Sequence, residues 1–229
     1  MIGINFKGPT KEETGESVDH RTAGVEPQSN WNDLGNWTFA SLLDNAGATS
    51  AVSVTTNTNL EAYNSYVLIP SDNGNNYMMR GYIYPPSGSS MTVTVEGLEP
   101  PFTIHGYDVI VYFDGENGSA DWVTQYTIGV DGTTVATVYG RDAKDTVQWD
   151  GTFVQSFGGT AAGATAGNYI RFTGLTGSGF TLTATPDAGS GPINAIQIVS
   201  VPEPASLALV VLGAVGALAA RTRQSRFRR

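Results

Sequence analysis

The stretch Met91-Thr92-Val93-Thr94-Val95 constrains this chain more than any other. Successive strand residues point to opposite faces, so this order puts three apolar side chains on one face and two threonines on the other. Phe180-Thr181-Leu182-Thr183 repeats the pattern. A period of two does not fit a helix, and it demands a sheet with one buried and one wet face. Similar short segments rich in Val, Ile, Thr, Tyr and Phe recur between clusters of Gly, Asn, Asp, Pro and Ser. They predict strands at Gly3–Phe6, Thr49–Thr55, Tyr77–Tyr84, Met91–Glu96, Tyr107–Phe113, Val123–Val130, Thr133–Tyr139, Tyr169–Thr173, Phe180–Thr185 and Ile193–Val199. Tyr107–Phe113 is almost continuously apolar and reads as a central strand. Asp131-Gly132 between two such runs supplies the positive φ of a two-residue turn, so Val123–Tyr139 is expected to be a hairpin.

Helical spacing is confined to Asn32–Asp44, where Leu34, Trp37 and Leu42 or Leu43 fall on one side, and the segment reads as a short helix or a turn. Thr10–Val25 is polar and reads as an exposed loop, and Gly158–Gly167 as a glycine- and alanine-rich loop with little to pack. Ten short strands and almost no helix predict an all-β fold, a single β-sandwich of jelly-roll type over residues 1–200. There are no cysteines, which excludes disulfides, thiolate metal sites and cysteine nucleophiles. Stability must come from the core, and about 200 residues are enough to build one.

Residues 1–200 carry seven Lys/Arg against twenty Asp/Glu, a charge of −13. Such a body repels phosphate backbones, so nucleic acid is not an expected partner. The two histidines, His20 and His105, lie in no metal-ligand spacing, and no Gly-x-Ser-x-Gly elbow is present. Asp108, Asp114, Glu116 and Asp121 bracket the predicted central strand and the loop after it. A glycosidase needs two such carboxylates about 5–10 Å apart, and this is the enzymatic alternative. Acidic loops on an acidic protein are the simpler account, and the expectation is a non-catalytic chain without a resident cofactor. Asp114-Gly115-Glu116-Asn117-Gly118 also offers oxygen ligands in a tight turn of a kind that suits Ca²⁺, without the EF-hand register.

The last residues follow another logic. Val201-Pro202-Glu203-Pro204 precedes Ala205–Ala220, which holds no charge and only Ser206 as a polar residue. Arg221, Arg223, Arg226, Arg228 and Arg229 then crowd the end. An apolar run beside clustered cations partitions into hydrocarbon with the cations on the cytoplasmic side. At 1.5 Å per residue the helix spans about 24 Å, against a hydrocarbon core of about 30 Å, short for a permanent anchor. The two prolines hold the segment before it extended, a shape suited to a peptidase cleft.

This tripartite tail resembles the PEP-CTERM sorting signal of Gram-negative bacteria, which the membrane peptidase exosortase reads. Pro202, Glu203 and Pro204 match the motif, Ala205–Ala220 the helix and Arg221–Arg229 the basic cluster, about an eighth of the chain. The resemblance implies export, cleavage near the motif, and delivery to the cell surface or an extracellular polysaccharide matrix. The implied precursor is anchored in the inner membrane. An exported chain is expected to begin with a basic and then apolar leader. Met1–Phe6 reads as a strand instead, which places the true start upstream or implies a leader already removed.

The body more weakly resembles galactose-binding or malectin-type β-sandwiches, through Tyr107–Asp114 and the closing Ile193-Asn194-Ala195-Ile196-Gln197-Ile198. In such sandwiches the closing strand returns beside the first. Sugar recognition uses rings against pyranose faces and polar groups on hydroxyls. Of Trp31, Trp37, Trp122 and Trp149, the last two lie by loops expected to converge at one end. Trp122 and Trp149 are therefore the candidate stacking platforms, with Asp114 and Asn117 as hydrogen-bonding or calcium groups; the competing role for each ring is core packing. The expectation is an exported, exosortase-processed surface or matrix protein that binds polysaccharide or serves a purely structural role.

Overall fold

The computed structural model describes residues 1–7, 18, 21–34, 38–58, 61–63, 73–144 and 149–202. His20, Trp37, Glu203, Pro204, the apolar run and the arginine cluster lie outside them. Among the described residues no helix is long and apolar enough to cross a membrane.

The strands, in chain order, are β1 (Ile2–Phe6), β2 (Asn32–Leu34), β3 (Thr38–Phe39), β4 (Ser53–Thr56), β5 (Glu61–Tyr63), β6 (Gly81–Ile83) and β7 (Met91–Glu96). They continue with β8 (Tyr107–Tyr112), β9 (Trp122–Val130), β10 (Thr133–Asp142), β11 (Tyr169–Leu175), β12 (Gly179–Ala188) and β13 (Ala195–Ser200). Among the described residues two short α-helices, α1 (Gly74–Met78) and α2 (Phe102–His105), and a 3-10 turn at Ala161–Gly163 interrupt them. One sheet has the order β11-β8-β13-β1-β2, a second the order β10-β9-β12-β7-β4-β3, and β5 pairs with β6 alone. The chain is thus mostly β, in several sheets.

The registers follow from alternation. In β7 the apolar Met91, Val93 and Val95 are buried while Thr92 and Thr94 are not. β12 does the same with Phe180, Leu182 and Ala184. These side chains meet Ile4, Val109, Val111, Ile196 and Ile198 of the other large sheet in one apolar cluster. Burying each such Val, Ile or Leu is worth about 1.5–3 kcal/mol. β13 closes antiparallel on β1, Ile198 opposite Ile2, as the closing-strand pattern led one to expect. The hairpin turn has φ of 50° at Asp131 and 75° at Gly132, positive at both central residues as a primed turn requires.

The near-continuous apolar character of β8 has a specific cause. It is paired on both sides, by β11 and β13, although β13 holds the middle of that sheet. Val109 and Val111 face the inner cluster, while Ile110 and Tyr112 enter a second cluster with Ala23, Trp31, Met78, Met79, Trp149 and Ala195. The five-stranded sheet is therefore buried on both faces. A polar network seals the outer cluster. Tyr112 Oη donates to Gln197 Oε1 at 2.7 Å and accepts from the Val25 amide at 2.8 Å. Gln197 Nε2 donates in turn to Glu26 O and Gln28 Oε1.

Four sequence expectations are corrected. Asn32–Asp44, whose spacing suggested a short helix or turn, holds β2 and β3 where it is described, and Leu43 bridges to Thr49. Tyr77–Tyr84 is a strand only from Gly81; before that, Tyr77 and Met78 sit in α1, capped by the Asn73 side chain accepting from the Asn76 amide. The Thr10–Val25 segment buries Val18 and Ala23 where it is described, because it helps cover the outer cluster. Gly158–Gly167 is packed at Ala164 and tied down by the amides of Tyr139, donating to Gly158 O, and Gly167, donating to Arg141 O.

Candidate functional site

The loop after β8 carries the sequence-predicted ligand groups. It is held by hydrogen bonds within the protein. Asp114 is buried; its amide donates to Asn194 Oδ1 at 2.7 Å and its carbonyl accepts from Asn194 Nδ2 at 3.1 Å. The Gly115 amide donates to Asp142 Oδ2 at 2.9 Å. Asn117, 1% exposed, gives its side-chain amide to Asp142 O and Ala143 O at 2.9 and 3.1 Å, leaving Oδ1 buried without a hydrogen-bond partner. Calcium takes about six to eight oxygens. Among the described residues no three His, Asp or Glu side chains come together to hold a metal.

Trp149 is 2% exposed, so no face of its ring is open for stacking. Its Nε1 donates to Asn76 Oδ1 at 2.6 Å and it packs on Phe153 with centroids 4.8 Å apart, inside the outer cluster. The core role has taken this ring, and the stacking assignment is corrected accordingly. Trp122 is half-buried at the start of β9. Its ring lies against the backbone of two loops: a Cβ added at Gly115 or Gly189 would land on it. Of Trp122, Trp149, Asp114 and Asn117, Trp122 alone is not buried.

The remaining carboxylates have structural partners. Asp108 pairs with Arg171, whose Nη2 is 2.8 Å from Asp108 Oδ2, and accepts the Gly174 amide at 2.9 Å. Arg171 also reaches Glu26 at 2.9 Å. Burial alone would lower the Arg171 pKa, but the hydrogen bonds it donates to Asp108 and Glu26 and the charges of those two acids outweigh it and raise the net value. Asp121 accepts the Lys144 amide at 2.8 Å and faces Arg141 at 3.8 Å. His105 ends α2.

Sequence reasoning missed Asn194. Fully buried between β12 and β13, it also donates to Met79 O and Gly81 O at 3.0 Å each, so one side chain joins the loop after β8 to the α1–β6 segment. The available signal was a single amide in the apolar run Pro192-Ile193-Asn194-Ala195-Ile196.

At the other end of β13 the last strand residue is Ser200, opposite Tyr107. The Val201 amide donates to Gly106 O at 3.0 Å, and Pro202 is exposed. The sheet thus hands the chain directly to the Pro-Glu-Pro segment. Residues 200–224 match the PEP-CTERM protein-sorting motif. The motif implies an exported protein directed to the cell envelope and processed by exosortase. No curated protein matches the chain.

Proposed function

We propose that this chain is a non-catalytic surface or extracellular-matrix protein of a Gram-negative bacterium. In this reading residues 1–200 form one jelly-roll-like β-sandwich. The apolar run 205–220 holds the precursor in the inner membrane with its arginines in the cytoplasm, and exosortase cuts near Val201–Pro204. The released body is then retained by extracellular polysaccharide. The observation that carries the reading is the motif match beginning at residue 200, the last residue of the last strand. An autonomous body ending there needs nothing from the tail to complete its sheets. Against the enzymatic alternative stands the engagement of the acids it would need: Asp108 is committed to Arg171, and Asp114 is buried.

Expression in a host with an exosortase, and in the same host with that peptidase deleted, tests this. Surface material should yield a C-terminus upstream of Arg221 by mass spectrometry. Replacing Pro202, Glu203 and Pro204 with alanine, or deleting the peptidase, should leave the full-length chain in the membrane fraction. An intact Arg229 terminus in surface material would refute the processing.

A further inference from the structure

The alternation that buries Val93, Ile128 and Leu182 leaves a ruled array of hydroxyls on the opposite face of the six-stranded sheet. The registers align it. Thr55, Thr94, Thr181, Gly129 and Thr134 form one row across five strands, and Thr92, Thr183, Thr127 and Thr137 form the next. Neighbours within a row are about 4.8 Å apart and the rows about 6.8 Å apart, by strand geometry. Thr94 and Thr181 hydroxyls are 3.4 Å apart, and those of Thr127 and Thr137 3.1 Å. A hydroxyl offers one donor and two acceptor sites, so one shared bond leaves each with capacity for a ligand.

This face is not flat. A groove of about 550 Å³ crosses it from β7 to β10, within the size range of ligand sites. Its depth has a cause in the sequence: Gly129 stands in the first row where the neighbouring strands carry threonine. Beside it is Gly179, whose Cβ would clash with Val95 O. Among the described residues the charges lining the groove are Glu96 and Asp131, with no lysine or arginine. A polyanion gains nothing there and is repelled. A threonine row presents methyl and hydroxyl groups side by side, as a sugar chain presents C–H and O–H groups.

We infer that this threonine groove binds an extended, uncharged polysaccharide laid across β7, β12, β9 and β10. The inference rests on the matrix-protein reading above and gives it a ligand class and a surface, in place of the loops around Trp122 and Trp149. Because the ligand slots between rows instead of stacking on rings, the site needs no exposed tryptophan.

Affinity electrophoresis of the full chain in a non-ionic detergent tests it, in gels containing dextran, a β-glucan or mannan, with alginate as the anionic comparison. Retardation is expected in at least one neutral gel and not in alginate. The triple variant T94V/T181V/T183V, which keeps shape and strand preference while removing hydroxyls, should raise the apparent Kd about tenfold or more. G129V should block the groove by a separate route, and the corresponding serine variants should retain binding; thermal melts report the fold of each. No retardation in any neutral gel, or equal retardation in alginate, overturns the groove while the C-terminal mass test of processing stands by itself. Binding lost in W122A but kept in both groove variants would return the site to the loops and likewise overturn it.

Discussion

Replacing Asn194 with alanine should destabilise the body far more than its size suggests. The side chain has no exposed surface and makes four hydrogen bonds, accepting from the Asp114 amide and donating to the carbonyls of Met79, Gly81 and Asp114. Alanine leaves that amide without an acceptor and removes the shared donor from three carbonyls. A buried orphaned donor costs about 1–3 kcal/mol, and the carbonyls add less each because each has a second lone pair. The sum is about 3–4 kcal/mol, out of a stability of about 5–15 kcal/mol for a domain. At about 2–4 °C per kcal/mol for a chain of this size, the melting temperature should fall by about 10 °C. The control is Asn168→Ala. Asn168 also bonds two backbone groups, accepting from Val154 and donating to Thr152 O, but within reach of water. That variant should lose about 1 kcal/mol or less. Urea unfolding of both, at unchanged m-value, measures the difference. If Asn194→Ala costs no more than Asn168→Ala, the claim that this amide joins the loop after β8 to the α1–β6 segment fails.

Two further outcomes follow from the buried rings. Burial pushes Tyr82 and Tyr107 up to about 12 and raises Tyr112 and Tyr126 further, so the neutral phenols are favoured in the folded state. Their contribution is complete below pH 10 and is lost above it. For the two most buried alone, stability should fall by about 2.7 kcal/mol per pH unit above 10, read by urea midpoints from pH 8 to 11.5; a flat profile would contradict their burial. Trp149→Ala should cost about 3–5 kcal/mol by emptying the outer cluster. Trp122→Ala, whose ring is partly in water, should cost distinctly less, and equal melting temperatures for the two would refute the distinction between them.

The elements legible in the sequence were those whose side chains answer to one surface each. β7 was read to the residue, and the Asp131-Gly132 turn and the return of β13 beside β1 were also as expected. The failures share a cause. Leu34 and Leu42 fit a helical period, but each is buried from its own strand-like piece on either side of β3, and the spacing is incidental. The outer cluster is assembled from segments near residues 18–31, 77–79, 110–112 and 149–153, so no local window contains its pattern. Trp149 looked available because it lies by a loop expected to converge with the one before Trp122. A ring's place in a loop carries no information about whether it turns inward, and this one does. The threonine face was in plain view as alternation, yet its continuity across five strands existed only once the registers were known.

Those registers also give the body two distinct ends. β8 runs from Tyr107, opposite Ser200, to Tyr112, opposite Ala195. Val201, bonded to Gly106, therefore leaves at the end opposite the loop that follows Tyr112. Six strand residues separate the two, about 17–20 Å. Tyr107 Oη donates to Gly179 O, and the Leu98 amide to Ser178 O, so Glu96, Gly179 and the Asp131-Gly132 turn lie at the tail end of the second sheet. The loop from Asp114 to Asp121, locked to Asp142 and Asn194, caps the far end. The start of the matched motif and the loop after β8 thus lie at opposite ends of the sheet. Val201 and Pro202, within the matched motif, lie at one end, where the strand stops at Ser200. The threonine rows run up the side of the second sheet from that end. Pro202 carries no amide hydrogen and cannot donate to a ladder, which accounts for β13 ending at Ser200, with the Val201 amide making the last bond, to Gly106 O.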